Sequence, residues 1–145
     1  MFVADCMSRE VRLCAPSDTI RDAARAMMEI DCGFLPVADG DRLVGALTDR
    51  DIAVRGVGYG LGPGAQVREI MSEEVRYCYD DDDLDEAAMQ MSDLQIRRMP
   101  VLNRSKRLVG VISLGDIARS EDEGLQIGGA ALCGISEPGG QHTQH

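Results

Sequence analysis

Two short stretches place a hydroxyl three residues before a carboxylate: Thr48 with Asp51 in GALTDRDIA, and Ser113 with Asp116 in GVISLGDIA. At the start of a helix such a pair forms a capping box. The hydroxyl accepts from the third helical amide, and the acid accepts from the cap residue's own amide. The same arrangement can also hold a nucleoside phosphate. A helix N-terminus offers unpaired amides and a positive dipole end to an anion. The hydroxyl adds a bond to a phosphate oxygen, and the carboxylate accepts from both hydroxyls of a ribose. Gly45 and Gly110, three residues before each hydroxyl, let a ligand approach the strand closely. Spacing alone leaves both readings open.

The other reactive side chains point to less. Five cysteines (Cys6, Cys14, Cys32, Cys78, Cys133) are an odd number without a C-x-x-C pair, which argues against a zinc site and a disulfide framework. They read as small buried hydrophobes. The two histidines, His142 and His145, both lie in the tail GGQHTQH, so no His-based triad or His-rich metal site is expected inside the fold. The glycine-rich GVGYGLGPG (56–64) lacks the G-x-G-x-x-G and G-x-x-x-x-G-K-[ST] spacings and follows a helix end, so it reads as a linker. The run Asp80-Asp81-Asp82-Asp83 stands where acids cap a helix, and reads as a helix start rather than a cation site. Nothing supplies a nucleophile with its base, a metal cluster or a cofactor fingerprint, and no enzyme is expected.

Composition narrows the partners. The chain has 145 residues, 44% of them hydrophobic, enough for a globular core. A net charge of −10, no Trp and only three Tyr and two Phe equip it poorly for phosphate backbones or stacked bases, so nucleic acid is not an expected partner. No apolar run approaches the ~20 residues that span a bilayer. The opening MFVADCMSREV lacks the basic and apolar regions of a signal peptide, so a cytoplasmic location is expected.

The elements that must position the two motifs are themselves duplicated. CMSREVRLC (6–14) returns as IMSEEVRYC (70–78). At the same offset Ile20, Ala23, Ala24, Met27 and Ile30 fall on Leu84, Ala87, Ala88, Met91 and Leu94, one apolar stripe of a helix. FLPVADGDRLVGALTDRDIA then matches RMPVLNRSKRLVGVISLGDIA with one extra residue in the second turn. Each copy predicts an extended piece (Val11–Cys14; Val75–Cys78), a helix of about a dozen residues capped near Asp18-Thr19 or the acidic run, and two strands joined by a turn. A brief second helix follows Thr48 or Ser113. Repeat one is placed at 1–60, repeat two at 61–120, and a partly disordered tail at 121–145. A unit of about 55 residues is marginal alone, so the copies are expected to pack through their strands.

The doubled order of a leading Met-Ser, a helix, L-P-V or M-P-V, then L-V-G-x-[LI]-[ST]-x-x-D-I resembles a pair of CBS domains, the Bateman module. The likeness covers about residues 4 to 120, and the arrangement is similar to short bacterial CBS-pair proteins. It implies an α+β fold of two duplicated β-α-β-β-α units with pseudo-two-fold symmetry, two clefts between their sheets, and a homodimer. The family's ligands are adenosine compounds: AMP, ADP, ATP, NAD and S-adenosylmethionine. Its hydroxyl and ribose-binding acid fall on Thr48 with Asp51 and on Ser113 with Asp116. Neighbours assigned to Asp51 are Ser72, Tyr77, Arg98, Met99 and Pro100; those assigned to Asp116 are Ser8, Leu13, Leu35 and Pro36. Arg97-Arg98 stands opposite Gly33-Phe34 between copies, and Arg50 opposite Gly115. Because arginine meets phosphate bidentately, one competent site containing Arg98 is expected beside one weak or empty site. The implied role is a regulatory sensor acting through an unidentified effector protein. The alternative is a ligand-free interaction or dimerisation module whose motifs are helix caps.

Overall fold

Each repeat is built on one hairpin with a bulge at the same place. In the computed structural model, which describes residues 1–120, β1 (Phe34–Asp39) pairs antiparallel with β2 (Arg42–Thr48), and the register shifts between Val37 and Ala38. In repeat two, β4 (Arg98–Leu102) pairs with β5 (Leu108–Ser113), shifting between Val101 and Leu102. The turns differ. Gly40 takes the left-handed conformation in D-G-D-R, whereas in N-R-S-K the Asn103 Oδ1 accepts from the amides of Ser105 and Arg107, both at 3.0 Å, and Lys106 turns left-handed. The tail with Cys133, His142 and His145 lies outside the described residues.

The helices α1 (Ile20–Ile30) and α3 (Leu84–Leu94) are both of 11 residues. Thr19 caps α1, its hydroxyl accepting from Asp22 at 3.1 Å. Of the acidic run, Asp83 is the N-cap of α3 but makes no side-chain cap bond. Asp82 instead ties the turn before it, accepting from the Tyr79 amide at 2.9 Å, as Asp18 does from Ala15 at 2.8 Å. The expected stripe holds on α3, where Leu84, Ala87, Ala88 and Met91 are buried and Leu94 packs against them. On α1 it is rotated: Ala26 is buried in place of Ala24, and Ile30 is partly exposed. The expected leading strands shrink to the bonds they can make. Cys14 forms one parallel bridge to Val37, and β3 is Cys78–Tyr79, parallel to β4.

The chain forms two compact units, residues 12–75 and residues 1–11 with 76 onward. In the first, Cys14, β1, β2 and Ser72 lie side by side, Ser72 and Ala46 exchanging backbone bonds of 2.9 Å. Its core gathers Ile20, Met27, Leu35, Leu47, Val67 and Ile70. In the second the order is β3-β4-β5, with Ser8 exchanging bonds of 2.9 and 3.0 Å with Val111. Its core gathers Val3, Leu84, Met91, Met99, Ile112 and Ile117. Each hairpin is thus flanked by the Met-Ser leader of the other repeat.

That leader explains two glycines. A Cβ on Gly110 would stand 2.6 Å from the Met7 Sδ and 2.8 Å from the Ser8 carbonyl oxygen; on Gly45, 2.8 Å from the Met71 Sδ and 3.0 Å from the Ser72 oxygen. The close approach expected of a ligand at these positions is made by the protein's own chain.

Candidate functional site

Both hydroxyl–acid pairs close reciprocally at the end of a strand. Thr48 Oγ1 accepts from the Asp51 amide at 3.1 Å, and Asp51 Oδ2 accepts from the Thr48 amide at 2.9 Å. Ser113 and Asp116 repeat the pair with the same distances. The cap residues are extended (φ −118° and −120°), as an N-cap must be. The residue just before the first strand of each hairpin also holds the turn, Gly33 accepting from the Asp49 amide at 3.0 Å and Arg97 from Leu114 at 2.9 Å. Thr48 is nearly fully buried. The segment after it runs as one α-turn, α2 (Asp49–Asp51), and then as a wider π-turn over Ile52–Gly56, where Gly56 lets the backbone close on Ile20. Ser113 opens α4 (Leu114–Arg119).

The cap spends one carboxylate oxygen, so the chemistry lies with the other. In repeat one the nearest cation to Asp51 Oδ1 is the Arg55 Nε, 3.9 Å away, while Arg55 Nη1 reaches the Ile70 carbonyl at 3.4 Å. In repeat two Arg119 Nη2 donates to Asp116 Oδ1 at 2.7 Å. Both acids are mostly covered, with 14% and 17% of the side chain exposed. A carboxylate at Asp51 therefore retains an oxygen able to accept from a hydroxyl, and the one at Asp116 has both oxygens engaged.

The surrounding charges also differ. Repeat one carries Asp49 over Gly33, where a Cβ would meet the carboxylate at 2.6 Å, and an exposed Arg50. Repeat two has Leu114 and Gly115 at those places and Arg97-Arg98 opposite Gly33-Phe34. Among the described residues the Arg98 side chain makes no hydrogen bond or ion pair, while its backbone pairs with Ser113. Only on the second unit, among the described residues, does an arginine lie over an aromatic ring. Arg104 sits 4.1 Å from the Tyr79 ring centre and donates to Asp81 at 2.9 and 3.0 Å, which holds that carboxyl below its usual range. Tyr77 meets Tyr79 edge-on at 5.7 Å.

The residues named from sequence sort by unit. With Thr48, Arg50 and Asp51 stand Ser72, Leu13, Leu35 and Pro36; with Ser113 and Asp116 stand Ser8, Tyr77, Arg98, Met99 and Pro100. Leu35, Pro36, Met99 and Pro100 are buried strand residues, whereas Ser8 and Leu13 are exposed and Ser72, Tyr77 and Arg98 half-buried. Arg55 and Arg119 were not anticipated, although their spacing of four and three residues from the acids was visible. The cysteines at equivalent places behave alike. Cys14 and Cys78 are buried with their thiols toward the carbonyls of Pro36 and Pro100, and burial, reinforced by Asp18 at Cys14 and by Asp82 and Asp80 at Cys78, pushes both up to about 12. Among the described residues no group of three or more His, Cys, Asp or Glu side chains is placed to hold a metal ion.

Two turns of one design, each opening a helix after a bulged hairpin, define a duplicated module. The chain belongs to the CBS domain family, whose model matches residues 3–57 and 67–123. Hypoxic response protein 1 of Mycobacterium tuberculosis is 38% identical over 117 residues, covering 79% of this chain and 81% of that protein. A structure of Hypoxic Response Protein I with two coordinated zinc ions superposes with a TM-score of 0.75 at 37% identity, over 82% of this chain and 98% of that one. The CBS pair of protein MJ0100, in complex with methylthioadenosine and S-adenosylmethionine, is 30% identical with a TM-score of 0.70, over 82% and 94%. CBSX2 in complex with AMP is 26% identical with a TM-score of 0.73, over 87% and 97%.

Proposed function

We propose that this CBS pair is a sensor of adenosine compounds. AMP, ADP, ATP, NAD or S-adenosylmethionine binds at a T/S-x-x-D turn, with Thr48 and Asp51 as the primary hydroxyl and acid, and occupancy shifts what an effector protein meets. The working form is a cytoplasmic homodimer, and the module regulates rather than catalyses. The observation that carries this reading is the spare Oδ1 of Asp51. An acid serving only as a cap needs one oxygen; this one holds a second, shielded from bulk water, where a ribose hydroxyl can donate. The bound ligands of MJ0100 and CBSX2, all three adenosine compounds, support the class. Arg50, exposed beside Asp51, is the guanidinium offered to a phosphate. Among the described residues no helix is long and apolar enough to cross a membrane.

A second reading has its own support: both capping boxes are complete without any ligand, as a pure interaction module requires. Thermal melting against the five compounds decides between them. A ligand that binds only the folded state, at 100-fold over its dissociation constant, adds about 2.7 kcal/mol, which raises the melting temperature by several degrees. The sensor reading expects that shift for at least one compound and its loss in Asp51→Ala. No shift with any compound returns both motifs to capping.

A further inference from the structure

Arg119 is the side chain that separates the two turns most sharply. Aligned by the repeat, R-D-I-A-V-R (50–55) faces G-D-I-A-R-S (115–120), so Arg119 replaces Val54 and Ser120 replaces Arg55. Gly115, where repeat one has Arg50, makes the room for it: a Cβ there would stand 3.1 Å from Arg119 Nη1 and 3.7 Å from Ser113 Oγ. The guanidinium is thereby laid back across the start of α4, and its Nη2 bonds Asp116 Oδ1 at 2.7 Å. A cation donating to a carboxylate oxygen at that distance makes the bond a sugar hydroxyl would make.

We propose that Arg119 is a built-in plug. It occupies the acceptor on Asp116 that corresponds to Asp51 Oδ1, which among the described residues receives no hydrogen bond and has only the Arg55 Nε at 3.9 Å, so that the second turn is self-satisfied and adenosine compounds are taken first at the Asp51 turn. The inference rests on the nucleotide reading and adds to it a specificity-determining residue outside the hydroxyl–acid pairs. Copy two is closed by one substitution pair, glycine before the acid and arginine after it, rather than by loss of the motif.

The test reads copy two alone, by titration calorimetry in an Asp51→Ala background with AMP and S-adenosylmethionine as probes. Arg119→Gln in that background is expected to tighten the remaining site about two- to fivefold, the range open to a partly screened ion pair, or to make an undetectable site measurable. In the wild-type background the same change leaves the affinity of the Asp51 site unaltered, which a general structural defect would not do. Unchanged affinity in the Asp51→Ala, Arg119→Gln protein overturns the plug. Weaker AMP binding with S-adenosylmethionine unmoved also overturns it, by making Arg119 a phosphate ligand. If the wild-type protein and every variant bind neither probe, the nucleotide reading falls and takes the plug with it. If the wild-type protein binds while Arg119→Gln changes nothing, only the plug falls.

Discussion

The turn at Thr48–Asp51 and the turn at Ser113–Asp116 agree to a tenth of an ångström in their caps and disagree in everything charged around them. The first has acid at Asp49 and an arginine that reaches past its carboxylate; the second has Leu114, Gly115 and an arginine folded onto its carboxylate. Backbone bonding fixed by the fold is shared, and the side chains that face outward from it have diverged. A duplicated module can thus keep two equal scaffolds while giving only one of them an open acceptor.

Three measurements break or sharpen that comparison. The largest effect concerns what the copies share. Burial raises Cys14 and Cys78 from 9.0 to about 12, so the folded state keeps protons that the unfolded chain gives up. Stability from these thiols is whole below pH 9 and is lost as pH rises toward 12, by up to about 1.4 kcal/mol per unit and thiol. Denaturant unfolding between pH 8 and 10.5 should show the decline, and Cys14→Ala and Cys78→Ala should each remove a similar part of it. Unequal parts would mean that the two core positions are not equivalent. Next in size, Gly110→Ala forces a methyl group onto a carbonyl oxygen that cannot yield, an overpacking that costs about 1–3 kcal/mol. Gly45→Ala has slightly more room and should cost less. The reverse order would contradict the tighter leader on the second hairpin. The smallest effect is on the caps: Thr48→Ala and Ser113→Ala should each lose about 1 kcal/mol by urea denaturation, equally if the two caps are the same device.

Much of this was legible in the sequence because it is local. The hydroxyl–acid spacing announced both capping boxes, the repeat announced both hairpins, and the paired cysteines announced equivalent buried places. The Asp116–Arg119 contact was readable in the same way, from a spacing of three residues. What stayed hidden depends on segments far apart in the chain. Gly45 and Gly110 look like openings for a ligand until Met71 and Met7 are seen against them, and no local rule says which leader covers which strand. The rotation of α1, which buries Ala26 and exposes Ala24, is likewise decided by what the helix packs on and not by its own periodicity.

The exchange of leaders has a consequence for the integrity of the chain. A single cut in the glycine-rich segment around Gly60 would yield two fragments, neither of which holds a complete unit. The first would carry residues 1–11 of one unit and most of the other, and the second the remainder of both. Each fragment lends its Met-Ser hook to the hairpin of its neighbour, so the nicked protein is clasped twice. Separated, each fragment would leave the flank of its own hairpin at Gly45 or Gly110 bare. Such a molecule is expected to tolerate a broken backbone between its repeats better than the loss of its first ten residues.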